Sequence, residues 1–290
     1  MSTQWHPIFA QLLRLQVEDY YEMRTTMPVG DAPRLADIVL LRRTSRVPPP
    51  FRGLWRHLTV WNLLEYKGPT VSPRLRDLEL LVELGLGIDR RLRGEPSGRT
   101  LQEPKPENVS FWYLANHLGR QFIHGATEKL GNLQPIGPGL WRGKVLSRLV
   151  FLTSAAELPV ENDALPFHIV GQQPIDRQLD VARLVAEQPA EVLAAYGGWM
   201  ATLHPAAWKE VEDMARTARQ PYKIDFRPAI EMYGLPYIIE QAGLQRVIES
   251  IGLPRLIEQI GEKEAIKEIG LDRIIANLTP AQRRELKKRL

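Results

Sequence analysis

The sequence predicts an α/β (α+β) protein, a mixed sheet flanked by helices and followed by an all-α arm of short helices. Three observations carry this. From residue 6 to residue 92 the hydrophobic pattern runs helix, strand, strand, strand, helix. Further branched and aromatic runs then extend the strand pattern to about residue 154. From residue 231 to the end the chain repeats instead, with a glycine every nine positions.

The first helix is HPIFAQLLRLQVED, where Ile8, Phe9, Leu12 and Leu15 share a face. YYEMRTTMPV and LADIVLLRR (35–43) follow as strands around the turn Gly30-Asp31-Ala32-Pro33. TSRVPPPFRG cannot hold a ladder, because its prolines lack the N–H donor. LTVWNLLEYK (58–67) is the third strand, and a helix from Pro73 to Leu92 has Ser72 at its N-cap. VSFWYLANHL and VLSRLVFLTS add strands, with GPGLWRGK (137–144) as a Gly/Pro turn between them. That turn fails as a phosphate loop, since Val145 stands where a Ser or Thr would hold Mg²⁺. Helical sequence from Asp176 to Arg219 is punctuated at Pro189, Gly197-Gly198 and Pro205. The expected divisions are a core at 1–172, a helical segment at 173–230 and the repeats at 231–290.

The repeat glycines are Gly234, Gly243, Gly252, Gly261 and Gly270. Nine residues of continuous helix would turn each unit's apolar stripe away from its neighbour's. Two-turn helices, each ended by glycine in the left-handed conformation, keep the stripes aligned. Such helices are too short to stand alone, so residues 231–290 are expected to stack on one another or on a second copy of the chain. IGEKEAIKEIG lacks the tight glycine hairpin of a helix-hairpin-helix element and reads as packing surface.

Charge is uneven. Residues 1–150 carry 21 Lys/Arg against 14 Asp/Glu, and the remainder 17 against 20. Between Arg34 and Arg56 six arginines face one acid, Asp37. Arg42, Arg43, Arg46, Arg52 and Arg56 are the candidate DNA contacts, neutralising phosphates with a salt-dependent affinity. The chain has no cysteine, which excludes disulfides, thiolate zinc sites and cysteine nucleophiles. Its histidines show neither HExxH nor paired spacing, so a histidine metal site is not expected. With no signal-like start and no apolar run of about 18–20 residues, a cytoplasmic protein with no membrane partner is the expectation.

One strand ends oddly. In LLEYKGP the period of two puts Glu65 and Lys67 on one face, at the strand's end. Asp37 begins the core of the preceding strand, and pairing of the two would set it opposite Glu65. Two carboxylates at that range repel, and a hard divalent cation relieves them. Lys67 beside such a cation would hold or activate a water, its pKa lowered by the metal. The competing structural reading is a strand-end ion pair between Asp37 and Lys67, with Glu65 at the rim.

Asp37 opening the second strand and Glu65-Tyr66-Lys67 closing the third, with 27 residues between the two carboxylates, resemble the motif of the PD-(D/E)XK nuclease superfamily. The likeness is nearest to the bacterial Rpn/transposase-associated branch and covers residues 5–170. It implies a restriction-endonuclease-like core and a Mg²⁺- or Mn²⁺-dependent DNA endonuclease. Asp37 and Glu65 would be the metal ligands and Lys67 the water-handling residue. Many members add a glutamate from the first helix; Glu18 is that candidate here, with Glu22 in reserve. The helix after the motif lacks the Gln-x-x-x-Tyr pattern of several branches. The alternative function is a catalytically weak or inactive scaffold that self-assembles through residues 231–290.

Overall fold

The computed structural model describes residues 5–28, 35–44, 49–94, 104–217 and 222–252. Arg46 and the repeat units beyond Gly252 lie outside them. The chain divides into two compact units, Met1–Leu184 and Val185–Leu290.

The first unit runs α1 (Trp5–Val17), β1 (Tyr21–Pro28), β2 (Leu35–Arg42), β3 (Trp61–Lys67), α2 (Leu75–Gly94), β4 (Val109–Ala115) and α3 (Arg120–Leu130). It continues with β5 (Gln134–Gly137), β6 (Leu140–Val145), β7 (Arg148–Ser154), α4 (Leu165–Val170) and α5 (Ile175–Ala186). The seven strands form one mixed sheet, ordered β1-β2-β3-β4-β7-β6-β5. β1, β2 and β3 are an antiparallel meander, β3, β4 and β7 are parallel, and β6 and β5 return antiparallel.

Alternation along the strands sorts the two faces. Val39, Leu41, Leu63 and Phe111 pack with Leu78, Leu81 and Ile88 of α2 and Phe122 of α3. On the other face Tyr66 stacks on Phe9 of α1 at 4.5 Å, and Phe9 meets Phe167 of α4. α1 thus covers the face opposite α2.

Two expectations change here. LWRGKV is a strand, not part of a turn, so the hairpin turn shrinks to Pro138-Gly139. β3 starts at Trp61, because Thr59 is tied off in a side-chain knot. Its N–H donates to Asn62 Oδ1 at 2.7 Å, and its hydroxyl donates to the Trp61 carbonyl. Between β6 and β7 the loop is two residues, Leu146 and Ser147, and both have positive φ (46° and 68°). That is the backbone of a type I′ turn, which favours Asn-Gly. A non-glycine residue there costs about 1–2 kcal/mol.

His168 of α4 is 1% exposed, and its Nε2–H donates to the Pro159 carbonyl at 3.0 Å. Burial pulls its pKa down to about 4. The unfolded chain therefore takes up this proton first, so the stabilisation is full above about pH 6.5 and lost as pH falls towards 4, by about 3 kcal/mol. His168→Gln keeps a donor but does not titrate. Urea melts from pH 7 to 4 should show a shallower acid loss in this variant; an identical acid limb would contradict the assignment.

The second unit holds α6 (Ala190–Leu203), α7 (Pro205–Thr217), α8 (Arg227–Tyr233), α9 (Leu235–Ala242) and α10 (Leu244–Ile251). α6 touches α7, α8 and α9 within this unit, and the two compact units meet in sequence at 184/185, beside the expected divisions at 172/173 and 230/231. α6 also runs straight through Gly197-Gly198, expected as a break. The missing Cβ atoms make room for a crossing segment, as an added Cβ at Gly198 would lie 2.0 Å from the Asp225 carbonyl oxygen.

The first two nine-residue units are two-turn helices, as their spacing predicts. Their single linking glycines are not in the left-handed helical well, however. Gly243 sits at φ 87°, ψ 142°, a region open almost only to glycine. Its N–H still bonds the Ile239 carbonyl at 2.9 Å, so it ends one helix and starts the next. The fully buried side chains are Ile238 and Val247, at the same offset in the two units, while the recurring Ile239 and Ile248 are only half-buried. Among the described residues no helix is long and apolar enough to cross a membrane.

Candidate active site

The site lies where the parallel strands β3, β4 and β7 end, the edge at which open α/β sheets bind ligands. β2 and β3 pair with Ile38 opposite Leu64, and one step further sets Asp37 opposite Glu65. The Tyr66 backbone N–H donates to Asp37 Oδ2 at 2.9 Å, which fixes the carboxylate at the strand end. Glu65 and Lys67 project to the α2 face, with Lys67 Nζ donating to Glu65 Oε1 at 2.7 Å. Both side chains are largely covered, at 17% and 18% exposed.

Burial raises the Glu65 pKa, and the Asp37 charge raises it further against the pull of Lys67. Burial acts to lower the Lys67 ammonium, but Glu65, Asp77 and Asp37 outweigh it and hold its pKa above the ordinary value. Lys67 is therefore a charged hydrogen-bond donor in this arrangement. The expectation of a lysine lowered by a neighbouring cation concerns the metal-loaded site.

Three neighbours were not picked out in the sequence. His6, near the start of α1, places Nδ1 2.9 Å from Asp37 Oδ2, and that hydrogen bond raises its pKa. Asp77, in the first turn of α2, lies 3.9 Å from Lys67 Nζ. Tyr113 of β4 pairs in register with Glu65; burial, and then the Asp77 charge, push its phenol pKa up. A lone histidine carries no spacing signal, and an aspartate in a first helical turn reads as a dipole partner.

The remaining sequence candidates stand apart. Glu18 follows the far end of α1, about 18 Å along the helix from His6 at 1.5 Å per residue. The structure does not bring it to Asp37 and Glu65. Glu22 is on β1 opposite Leu41, with its carboxylate bound by Arg24. Arg42 closes β2, about 17 Å from Asp37 along the extended strand, and Arg43 follows it. Arg52 and Arg56 are exposed in the segment before β3.

Comparison with family models, with curated proteins and with solved structures finds no match to this chain. The chemistry of the site therefore rests on its own residues.

Asp37 and Glu65 offer hard oxygen donors on adjacent strands, which suits Mg²⁺ or Mn²⁺. Mg²⁺ uses one or two carboxylates and completes its shell with waters and substrate phosphate oxygens. Among the described residues no group of three or more His, Asp or Glu is placed to hold a metal unaided. Two carboxylates meet the smaller requirement.

Proposed function

We propose that the first unit is a divalent-metal-dependent DNA endonuclease of the PD-(D/E)XK type. The observation that carries the reading is the covered Glu65–Lys67 pair facing Asp37 across the β2–β3 ladder. The element order helix, three antiparallel strands, helix, parallel strand adds support, because that motif implies this core.

Asp37 and Glu65 would hold Mg²⁺ or Mn²⁺, which when bound polarises a phosphoryl oxygen and lowers the pKa of a water. Hydrolysis forms a bond from a water oxygen to phosphorus and breaks the bond from phosphorus to the leaving oxygen. The water loses a proton and the leaving oxygen gains one. Lys67, charged and fixed by Glu65, donates to the attacking water or to the phosphoryl oxygens as negative charge grows there. Asp77 holds the ammonium from the other side, and His6 and the Tyr66 N–H orient the Asp37 carboxylate.

A second reading keeps the architecture without the activity. The His6–Asp37 and Lys67–Glu65 contacts already occupy both carboxylates, as in a scaffold that assembles through residues 231–290. Incubating supercoiled plasmid with the protein and Mg²⁺ or Mn²⁺ separates the two. Nicked or linear product that vanishes with chelator is expected. No cleavage at any protein concentration would overturn the enzymatic reading and leave the scaffold.

A further inference from the structure

The end of the sheet opposite the candidate active site carries a feature that catalysis does not use. The β6–β7 turn presents Leu146 at 69% exposure, with both central residues at positive φ. Neither glycine nor asparagine occupies it, so the sequence sets an apolar side chain on a backbone that disfavours it. Strain kept at an exposed tip is a mark of use. The tip is also held in place, since Arg148 Nη1 donates to the Leu146 carbonyl at 2.9 Å and Arg148 is itself paired to Asp89.

Cations lie along the same edge of the sheet, with Arg43, three strands away, donating its Nε–H to the Glu18 carbonyl at 3.3 Å. Lys144 precedes the turn on β6 and is exposed. Arg42 lies at the same edge, one cross-strand row beyond Arg148: its N–H bonds the Val60 carbonyl and the Val60 N–H bonds the Asn108 carbonyl, whereas Arg148 shares its row with Trp61 and Leu41. α2 ends at this edge too, where Arg93 binds Asp89 and donates to the Pro104 carbonyl, bringing exposed Arg90 and Lys105 near. Arginines at the end of α2 complement its dipole, but Lys105, Lys144 and Arg43 have no such role. The acids at this edge are Glu18, Asp19, Asp89 and Glu107; Asp89 is 2% exposed and consumed by its two arginines.

We propose that this edge is a second DNA-binding surface, on which Lys144, Arg43, Arg90 and Lys105 contact phosphates and Leu146 wedges into a base step of a duplex. A leucine or similar apolar side chain inserted from the minor groove unstacks a step, and flanking cations hold the backbone on either side. The cations favour a nucleic acid over a protein partner, which would meet the leucine with an apolar surround. Glu65 and the start of β3 are separated by about 13 Å of extended strand, so this surface is distinct from the carboxylate site. The inference rests on DNA as the proposed substrate but not on hydrolysis.

The test uses the full chain in chelator, where no cleavage occurs, and a duplex of about 20 base pairs with a fluorescent end label and internal 2-aminopurine. Wild type is expected to bind with a rise in 2-aminopurine fluorescence. Leu146→Gly, which relaxes the turn, should melt at the same or higher temperature while binding at least tenfold more weakly and losing the rise. Arg43→Glu with Lys105→Glu should reduce the slope of log affinity against log salt by about 2. Unchanged affinity and fluorescence in Leu146→Gly would overturn the proposal, as would RNA duplex binding tenfold tighter than DNA. Wedge binding without Mg²⁺-dependent cleavage would support this surface and refute the proposed enzyme; cleavage with no effect of Leu146→Gly would do the reverse.

Discussion

Lys67→Ala is expected to lower Mg²⁺-dependent plasmid cleavage by about 10²–10³-fold, the cost of removing one donor aimed at developing charge. The geometry makes the loss a loss of rate. Lys67 is mostly covered, tied to Glu65 at 2.7 Å and approached by Asp77 at 3.9 Å, so it does not reach out to collect DNA. Turnover should fall while DNA affinity in chelator stays near that of wild type. Lys67→Arg keeps a charge but replaces a compact ammonium with a planar fork that cannot sit between Glu65 and Asp77 in the same way, and should recover only part of the activity. Equal cleavage by wild type and Lys67→Ala would remove Lys67 from the site.

The largest expected effect on stability is at Gly198. In α6 a glycine costs about 1 kcal/mol relative to alanine by intrinsic propensity, so Gly198→Ala would be mildly stabilising if the helix stood alone. Packing reverses the sign. The added Cβ would sit 2.0 Å from the Asp225 carbonyl oxygen, which is backbone and cannot rotate away. The crossing segment is strapped down, since the Asp225 N–H bonds the Ala194 carbonyl at 2.8 Å. Either that bond breaks or α6 moves, at about 3 kcal/mol, the upper end of ordinary overpacking. For a unit of this size the melting temperature should fall by about 10 °C or more. Gly137→Ala, with nothing within 4 Å of the new atom, is the control and should stay near wild type. A Gly198→Ala melt within about 2 °C of wild type would contradict the close crossing.

The strand-end chemistry was legible because alternation is rigid: Glu65 and Lys67 must share a face, and pairing of β2 with β3 brings Asp37 across. His6 was not legible, since its partner is remote in sequence and only the seating of α1 on Tyr66 through Phe9 brings them together. Arg42 and Arg43 follow Asp37 closely in sequence, but extended chain carries them to the far edge of the sheet. Local signals also misled where tertiary contact decides. Gly197-Gly198 reads as a breaker until the segment crossing it is seen, and LWRGKV reads as loop beside Gly137-Pro138-Gly139. The glycine period gave helix lengths correctly in the two described units, but not the backbone region that glycine occupies between them.

The central claim, that Asp37 and Glu65 hold a divalent cation, can be tested without turnover through His6. Its imidazole is 2.9 Å from Asp37, whereas His124 is exposed on α3 and paired to Glu128 on the same helix. Titrating Mn²⁺ while following the histidine ring resonances should broaden His6 first and leave His124 sharp, and Asp37→Asn with Glu65→Gln should abolish the difference. His6 lines that stay sharp, or that broaden no sooner than those of His124, would contradict the account.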